Sequence, residues 1–122
     1  MRKQYYFRPS SRGLLAWDVD RLVTLSRAFP PKPIRLSAIR ELDEPWDQGQ
    51  TITWRAVVEH MKLMEAADML FPIILSADGS VMDGRHRIAK AALQGLESIE
   101  AVQFDRDPDP DYVGRGPDEL PY

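Results

Sequence analysis

The sequence contains no cysteine, which removes disulfides, thiolate metal sites and thiol nucleophiles from consideration. Histidine is almost as scarce, and two histidines without a cysteine argue against a zinc site. No hydrophobic run approaches the ~20 residues that a membrane helix needs. No apolar stretch follows Arg2 and Lys3 near the N-terminus. These absences predict a soluble, cytoplasmic protein without a membrane partner.

An excess of positive charge is also missing. The chain has 16 basic and 19 acidic residues, a formal net charge of -3. The molecule as a whole therefore lacks the counterion release that drives non-specific binding to nucleic acid, and only a local basic patch could supply it. The 122 residues, 43% of them hydrophobic, suffice for one domain with a modest core. Composition leaves a homodimer open.

Residues 1–32 are predicted to form a basic and aromatic segment followed by a helix. The segment carries no acidic residue and mixes two residue types: Arg2, Lys3, Tyr5, Tyr6, Phe7, Arg8 and Arg12. It suits either an anionic partner or aromatic side chains that pack on the domain while the charges face water. From Trp17 to Phe29 the apolar spacing predicts a helix of about ten residues, capped by Asp18 and stopped by Pro30-Pro31.

Residues 33–104 are predicted to form the core of the domain, which begins with a strand, a loop and a long helix. The strand runs from Pro33 to Ile39 and the acidic loop from Glu41 to Gln50. The helical pattern extends from about Thr53 to Leu70, with Thr51 or Thr53 as its cap. Its apolar stripe is predicted to face the core: Trp54, Val57, Val58, Met61 and Met64.

The second half of this core is predicted to contain a hairpin, a helix and a last strand. In chain order these are strands from Phe71 to Leu75 and from Ser80 to Met82 with a turn at Asp78-Gly79, a helix from Gly84 to Leu93 ended by Gly95, and a strand from Ile99 to Phe104. The acidic, proline-rich tail 105–122 is predicted to be irregular, either mobile or draped over the surface. The element order predicts a small α/β (α+β) domain in which a mixed sheet packs against about three helices.

The motif Asp83-Gly84-Arg85-His86-Arg87 crowds positive charge into the first turn of the predicted last helix. Free N–H groups and the helix dipole already make that end positive, so each added cation costs roughly 0.3 to 1 kcal/mol unless an anion answers it. A phosphate fits, because a glycine permits close approach, N–H groups donate and an arginine holds two oxygens. The motif therefore predicts phosphate binding by Gly84, Arg85, His86 and Arg87. In the alternative interpretation, Asp83 is an ordinary N-cap and both arginines point into solvent.

The other candidate residues each have two interpretations. Asp83 is either that cap or the ligand of a magnesium ion that bridges phosphate oxygens. His86 either donates to a phosphate or transition-state oxygen or is hydrogen-bonded to the hairpin, whereas His60 is interpreted as a packing or surface residue. The acidic loop offers candidates for a general base or a second metal ligand, or is a solvated face: Glu41, Asp43 and Glu44.

The segment from Phe71 to Phe104 resembles the ParB/sulfiredoxin-like fold family. The resemblance rests on Phe71-Pro-Ile-Ile-Leu, Asp78-Gly79, the run Val81 to Arg87, Ala89, Gly95 and the strand Ile99 to Phe104. Families with this fold share a glycine followed by His-Arg or Arg-Arg and an alanine, where they bind nucleotide phosphates. Over 33–70 only the order of strand, loop and helix agrees. The resemblance implies a ParB/sulfiredoxin-like core that binds a nucleotide such as ATP, ADP or CTP at Gly84.

Individual branches of the family narrow what the resemblance implies. Sulfiredoxins have their catalytic cysteine where this chain has Arg85, which argues against sulfinic acid reduction. Chromosome-partitioning ParB proteins continue into a further nucleotide box and a helix-turn-helix domain, so a complete partition clamp is not expected. Archaeal free serine kinases have a similar Asp-Gly-His-His-Arg motif. By that resemblance Asp83 would hold magnesium or the substrate hydroxyl, His86 and Arg87 would hold phosphates, and Glu41 would be the base.

The leading hypothesis is a stand-alone ParB-like domain that binds a nucleotide or other phosphorylated ligand, with Mg²⁺, at Gly84. Such a site can transfer or hydrolyse a phosphoryl group, with Glu41, Asp83 and His86 as catalytic candidates. The alternative is a non-catalytic module in which a nucleotide or protein partner occupies the same site. A third, weaker hypothesis is nucleic-acid binding through the basic N-terminus and Arg85. The sequence does not decide between enzyme and module.

Overall fold

The computed structural model describes residues 3–45 and 52–122. Within these ranges the strands are β1 (Tyr5–Arg8), β2 (Leu15–Asp18), β3 (Lys32–Arg35), β4 (Ile73–Leu75), β5 (Val81–Asp83), β6 (Ser98–Gln103) and β7 (Tyr112–Val113). The α-helices are α1 (Val19–Ser26), α2 (Trp54–Ala66) and α3 (Arg85–Leu93). Short 3₁₀ turns span Leu36–Ala38, Arg40–Asp43 and Pro117–Glu119.

The strands form two sheets. The first has the order β1-β2-β7 and is antiparallel throughout. The second has the order β3-β6-β4-β5, in which β4 and β6 are parallel and the other two pairs are antiparallel. The α+β class with a mixed sheet and three helices is therefore confirmed. The first sheet, which includes β1 and a strand of the tail, was not part of the predicted fold.

Strand β4, in the interior of the four-stranded sheet, is buried on both faces. Since side chains alternate along a strand, Ile73 and Leu75 of β4 pack in one apolar cluster, with Ile88 of α3, while Ile74 between them packs in another with Trp17 and other residues. The last strand, β6, alternates in the same way, because Ile99 and Ala101 join the first cluster, while Phe104, just after the strand, joins the second. This sheet thus connects the helix-covered side of the molecule to the first sheet.

Capping residues predicted the starts of α1 and α2 and the end of α3, whereas α1 ends at Ser26, before the predicted Phe29. The Asp18 carboxylate accepts the Asp20 N–H at 2.9 Å, so the predicted cap of α1 is confirmed, although Trp17 belongs to β2. Thr53 caps α2, and Thr51 lies outside the described residues. Gly95 has a φ of 74°, and the N–H groups of Gly95 and the next residue close the end of α3 onto its last turn, as predicted.

Three predictions for the segment 33–70 are wrong. The strand ends at Arg35, because the chain turns there into a 3₁₀ segment that buries Leu36 and Ile39. The apolar stripe of α2 does not face the core: Trp54 is 86% exposed, and no residue of this helix is fully buried. The reason is that α2 lies on α3, outside the sheet. The helix also ends at Ala66, four residues early, where the Lys90 ammonium binds nearby carbonyls.

The tail 105–122 is draped over the first sheet and contributes β7, which the sequence did not predict. Its acidic side chains meet the basic ones of the first 32 residues, with ion pairs between Arg8 and Asp107 at 3.0 Å and between Arg21 and Asp111 at 3.2 Å. The Arg8 guanidinium also lies over the Trp17 ring. The aromatic residues of β1 therefore pack on the domain.

Across residues 3–45 and 52–122 no helix has both the length and the apolar character needed to cross a membrane.

Candidate functional site

Gly84 joins the hairpin β4–β5 to α3 and is the N-cap of that helix, with a φ of 111°. A Cβ at this position would lie 2.6 Å from Cγ2 of Ile73, closer than packed carbon atoms allow. Glycine is therefore required by the backbone angle and by the close approach of β4. This packing explains the residue without reference to a ligand.

Asp83 and Arg87 pair with each other. The Arg87 guanidinium donates to Oδ2 of Asp83 at 2.8 Å and to the carbonyls of Phe71 and Pro72, both at 3.1 Å. The side chains of Asp83 and Arg87 are 21% and 13% exposed. Arg87 thus fastens the start of α3 to the chain before β4. The structure does not place either side chain among the residues that line the cavity described next.

A cavity of about 270 Å³ lies between the first turns of α3, the face of α2 that meets α3, and the acidic segment after β3. The residues that line it are Glu41, Leu42, Glu44, His60, Met64, Arg85, His86, Ile88 and Ala89. Three of the predicted site residues, Glu41, Arg85 and His86, therefore meet in one place. Glu41 is far from the motif in sequence, but it belongs to the 3₁₀ turn Arg40–Asp43, which contacts α3.

Glu41 is held by β5. Its Oε2 accepts the Val81 N–H at 2.6 Å, and the neighbouring Arg40 donates to the Ser80 hydroxyl at 2.8 Å. Among the described residues, Oε1 of Glu41 is buried and has no hydrogen-bond partner. An unpaired buried carboxylate oxygen is costly, which makes it a candidate contact for a ligand.

His60 reaches across the cavity from α2 to α3. Its Nδ1 lies 3.1 Å from Nε2 of His86, and the two rings are stacked with centroids 5.4 Å apart. Burial, together with the nearby charge of His60, lowers the pKa of His86. Sequence reasoning missed this role for His60. The sequence signal that could have indicated this role is the spacing of His60 and Met64, which places both side chains on one face of the helix. Both line the cavity.

The start of α3 adds electrostatic attraction for an anion. No side chain caps this helix, because its N-cap is Gly84 and not Asp83. The first N–H groups of a helix lack acceptors within the helix, and its dipole is positive at that end. Arg85 is exposed beside these groups. The arrangement can hold an anion next to a carboxylate that is able to accept a proton.

Among the described residues, no group of three or more histidine and acidic side chains is arranged to hold a metal ion. The predicted magnesium ligand, Asp83, uses Oδ2 to bind Arg87 and lies outside the cavity lining. We therefore derive no chemical step through a metal at this residue.

Comparison of the chain with protein-family models, with curated proteins and with solved structures found no match. The fold and the site define an α+β domain with an acidic, histidine-containing cavity at an uncapped helix start.

Proposed function

We propose that this protein binds a phosphorylated ligand, in the first place a nucleotide, in the cavity at the start of α3. The observation that carries the proposal is that Arg85 and His86 line a cavity beside the uncapped N-terminus of this helix. A phosphate would receive N–H donors, the helix dipole and the positive charge of an arginine at once. At about 270 Å³ the cavity lies below the usual ~300–1,000 Å³ of ligand pockets. We expect it to hold the phosphate end of the ligand.

The roles within the motif differ from residue to residue. Arg85 and His86 contact the phosphate, whereas Arg87, whose donors are used by Asp83 and two carbonyls, positions the helix. The glycine between a hairpin and this helix supports membership of the ParB/sulfiredoxin-like family, which we retain as part of the proposal. It also supports a shared site for the phosphate.

Catalysis would depend on Glu41. Its free Oε1 could take a proton from a hydroxyl or a water molecule during phosphoryl transfer, with Arg85 and His86 neutralising charge. The second candidate function is a non-catalytic binding module. The observation that favours it is the commitment of Asp83, the predicted magnesium ligand, to Arg87.

Calorimetric titration with ATP, ADP, CTP, GTP, phosphate and sulfate, with and without Mg²⁺, tests the binding proposal. We expect Arg85→Met to weaken binding at least tenfold. The matched control is Arg106→Met, the same substitution at an exposed position that does not line the cavity. No binding of any of these compounds, or equal binding by Arg85→Met, would contradict the proposal.

Glu41→Gln separates the enzyme from the module. The amide oxygen can still accept the Val81 N–H, so we expect the fold and ligand binding to persist. An enzyme would lose turnover of the bound nucleotide in this variant. A wild-type protein that binds the nucleotide without consuming it, in the presence of serine, water or peptide acceptors, would be a module.

A further inference from the structure

We propose that His60 and His86 act as one proton-sharing pair, which makes the cavity take up a proton when it binds a tetrahedral dianion. This inference rests on the proposed function, because the anion occupies the same cavity. It assigns His60 a role in binding and names the charge state of the ligand. It also predicts that affinity depends on pH.

The contact between the rings limits how many protons the pair can carry. At 3.1 Å, Nδ1 of His60 and Nε2 of His86 are at hydrogen-bond distance, so one nitrogen donates and the other accepts. The neutral pair carries one proton per ring, and one added proton leaves this bond intact. A second added proton would place N–H groups on both facing nitrogens, and the rings would have to separate.

Each element around the pair contributes charges to the cavity. The segment after β3 brings the carboxylates of Glu41 and Glu44, which favour a protonated pair. The first turn of α3 brings Arg85 and the positive end of its dipole, which oppose it. Apart from His60, the lining residue from α2 is the uncharged Met64. Because burial lowers the pKa of His86 below its ordinary ~6.5, its ring is mainly neutral at pH 7 without a ligand.

A bound dianion changes this balance. Two negative charges beside His86 favour its charged form, so binding raises the pKa of His86 and draws one proton from solution into the cavity. Affinity for a dianion should then increase as the pH falls, by at most about tenfold per pH unit for one proton. Two protons cannot be taken up while the rings remain in contact.

Sulfate and phosphate distinguish the pair from the ligand as the source of the pH dependence. Sulfate remains a dianion across the neutral range, so its affinity should keep rising from pH 8.5 to 6. A phosphate monoester has its second pKa near ~6 and becomes a monoanion below it. Its affinity should pass through a maximum. We therefore assign the cavity to a terminal phosphate in its dianionic form.

The test is calorimetric titration of the full chain with sulfate between pH 6 and 8.5 and with phosphoserine, a phosphate monoester, between pH 5 and 8.5. Buffers of different ionisation enthalpy report the protons taken up. We expect up to one proton per sulfate in the wild type, and none in the double variant His60→Asn with His86→Gln, which has no imidazole in the cavity and whose residual binding should not vary with pH. His60→Asn keeps a nitrogen in the place of Nδ1 but cannot titrate. We expect it to retain binding and to shift the pH midpoint, whereas His60→Leu should lose affinity.

Nuclear magnetic resonance of the imidazole nitrogens provides a readout that does not need a ligand. The two histidines should titrate as a coupled pair in the wild type, and His86 should titrate in a single step in His60→Asn. Independent titration of the two rings would overturn the proposal, and so would sulfate binding without proton uptake. If no anion binds at any pH, the proposed function fails, and so does proton uptake on binding. The titration of the imidazole nitrogens then still decides whether His60 and His86 form a proton-sharing pair.

Discussion

Gly84→Ala is the substitution whose cost can be worked out most directly. A Cβ at residue 84 would lie 2.6 Å from Cγ2 and 2.9 Å from Cβ of Ile73, at a φ of 111°. A positive φ costs a residue with a side chain about 1–2 kcal/mol, and an extra methyl group in a packed core costs about 1–3 kcal/mol. We therefore expect Gly84→Ala to lower the free energy of unfolding by about 2–5 kcal/mol, a large part of the ~5–15 kcal/mol of a typical domain.

The matched control is Gly95→Ala at the other end of α3. Gly95 also has a positive φ, 74°, but a Cβ there would meet nothing within 4 Å. This variant should lose only the backbone contribution, about 1–2 kcal/mol. Urea denaturation followed by circular dichroism gives both free energies by linear extrapolation. The difference between the two variants measures the close contacts of the added Cβ with Ile73 and, at 3.2 Å, with Nη2 of Arg87.

Equal losses in the two variants, within about 0.5 kcal/mol, would refute the steric reasoning. A further check is the double variant Gly84→Ala with Ile73→Ala, which removes Cγ2. Neighbouring substitutions that relieve a shared clash should cost less together than the sum of their separate effects. Because Ile73→Ala leaves its Cβ at 2.9 Å, the relief should be partial, and additive losses would show that Cγ2 does not carry the clash.

Two further predictions concern the anchoring contacts of the hairpin. Arg87→Met should lower the free energy of unfolding by about 2–3 kcal/mol in urea denaturation, because it leaves Asp83 and two carbonyls unpaired. Anion binding by the folded variant should be unchanged. Weakened anion binding would place Arg87 in the site. The Ser76 hydroxyl and then the Ser80 N–H lower the pKa of Asp78, so the stability that this carboxylate contributes is present above pH ~4 and is lost as the pH falls below it. Asp78→Asn should cost about 1 kcal/mol at pH 7, allowing for solvent screening, and progressively less in denaturation series below pH 4; a constant cost would contradict the assignment.

Features that depend on a few adjacent residues could be predicted from the sequence. Asp18 and Thr53 mark helix starts through bonds to N–H groups two and three residues away. Gly95 ends α3 through bonds to the turn just before it. The hairpin and the helix after Gly84 follow from the same local chemistry. Within the site, the position of Arg85 and His86 in the first turn of α3 could be predicted in the same way.

Features that depend on distant residues could not be predicted. The exposure of Trp54 is decided by which element covers α2, and helical spacing alone does not report that. The partners of Arg87 include two backbone carbonyls that carry no side-chain signal. The contact of His60 with His86 joins two helices and exists only after they pack. Local patterns therefore found the helix start, while tertiary packing decided which of its side chains face the cavity.

The pairing of β7 with β2 has a consequence for the synthesis of the chain. β2 emerges from the ribosome long before its partner Tyr112–Val113. Until β7 has been made, β1 and β2 can form only a two-stranded ribbon, which is marginally stable alone and has an open edge. A nascent chain, or one shortened before residue 112, would therefore present that edge to other chains, and the first sheet is completed only when β7 has emerged.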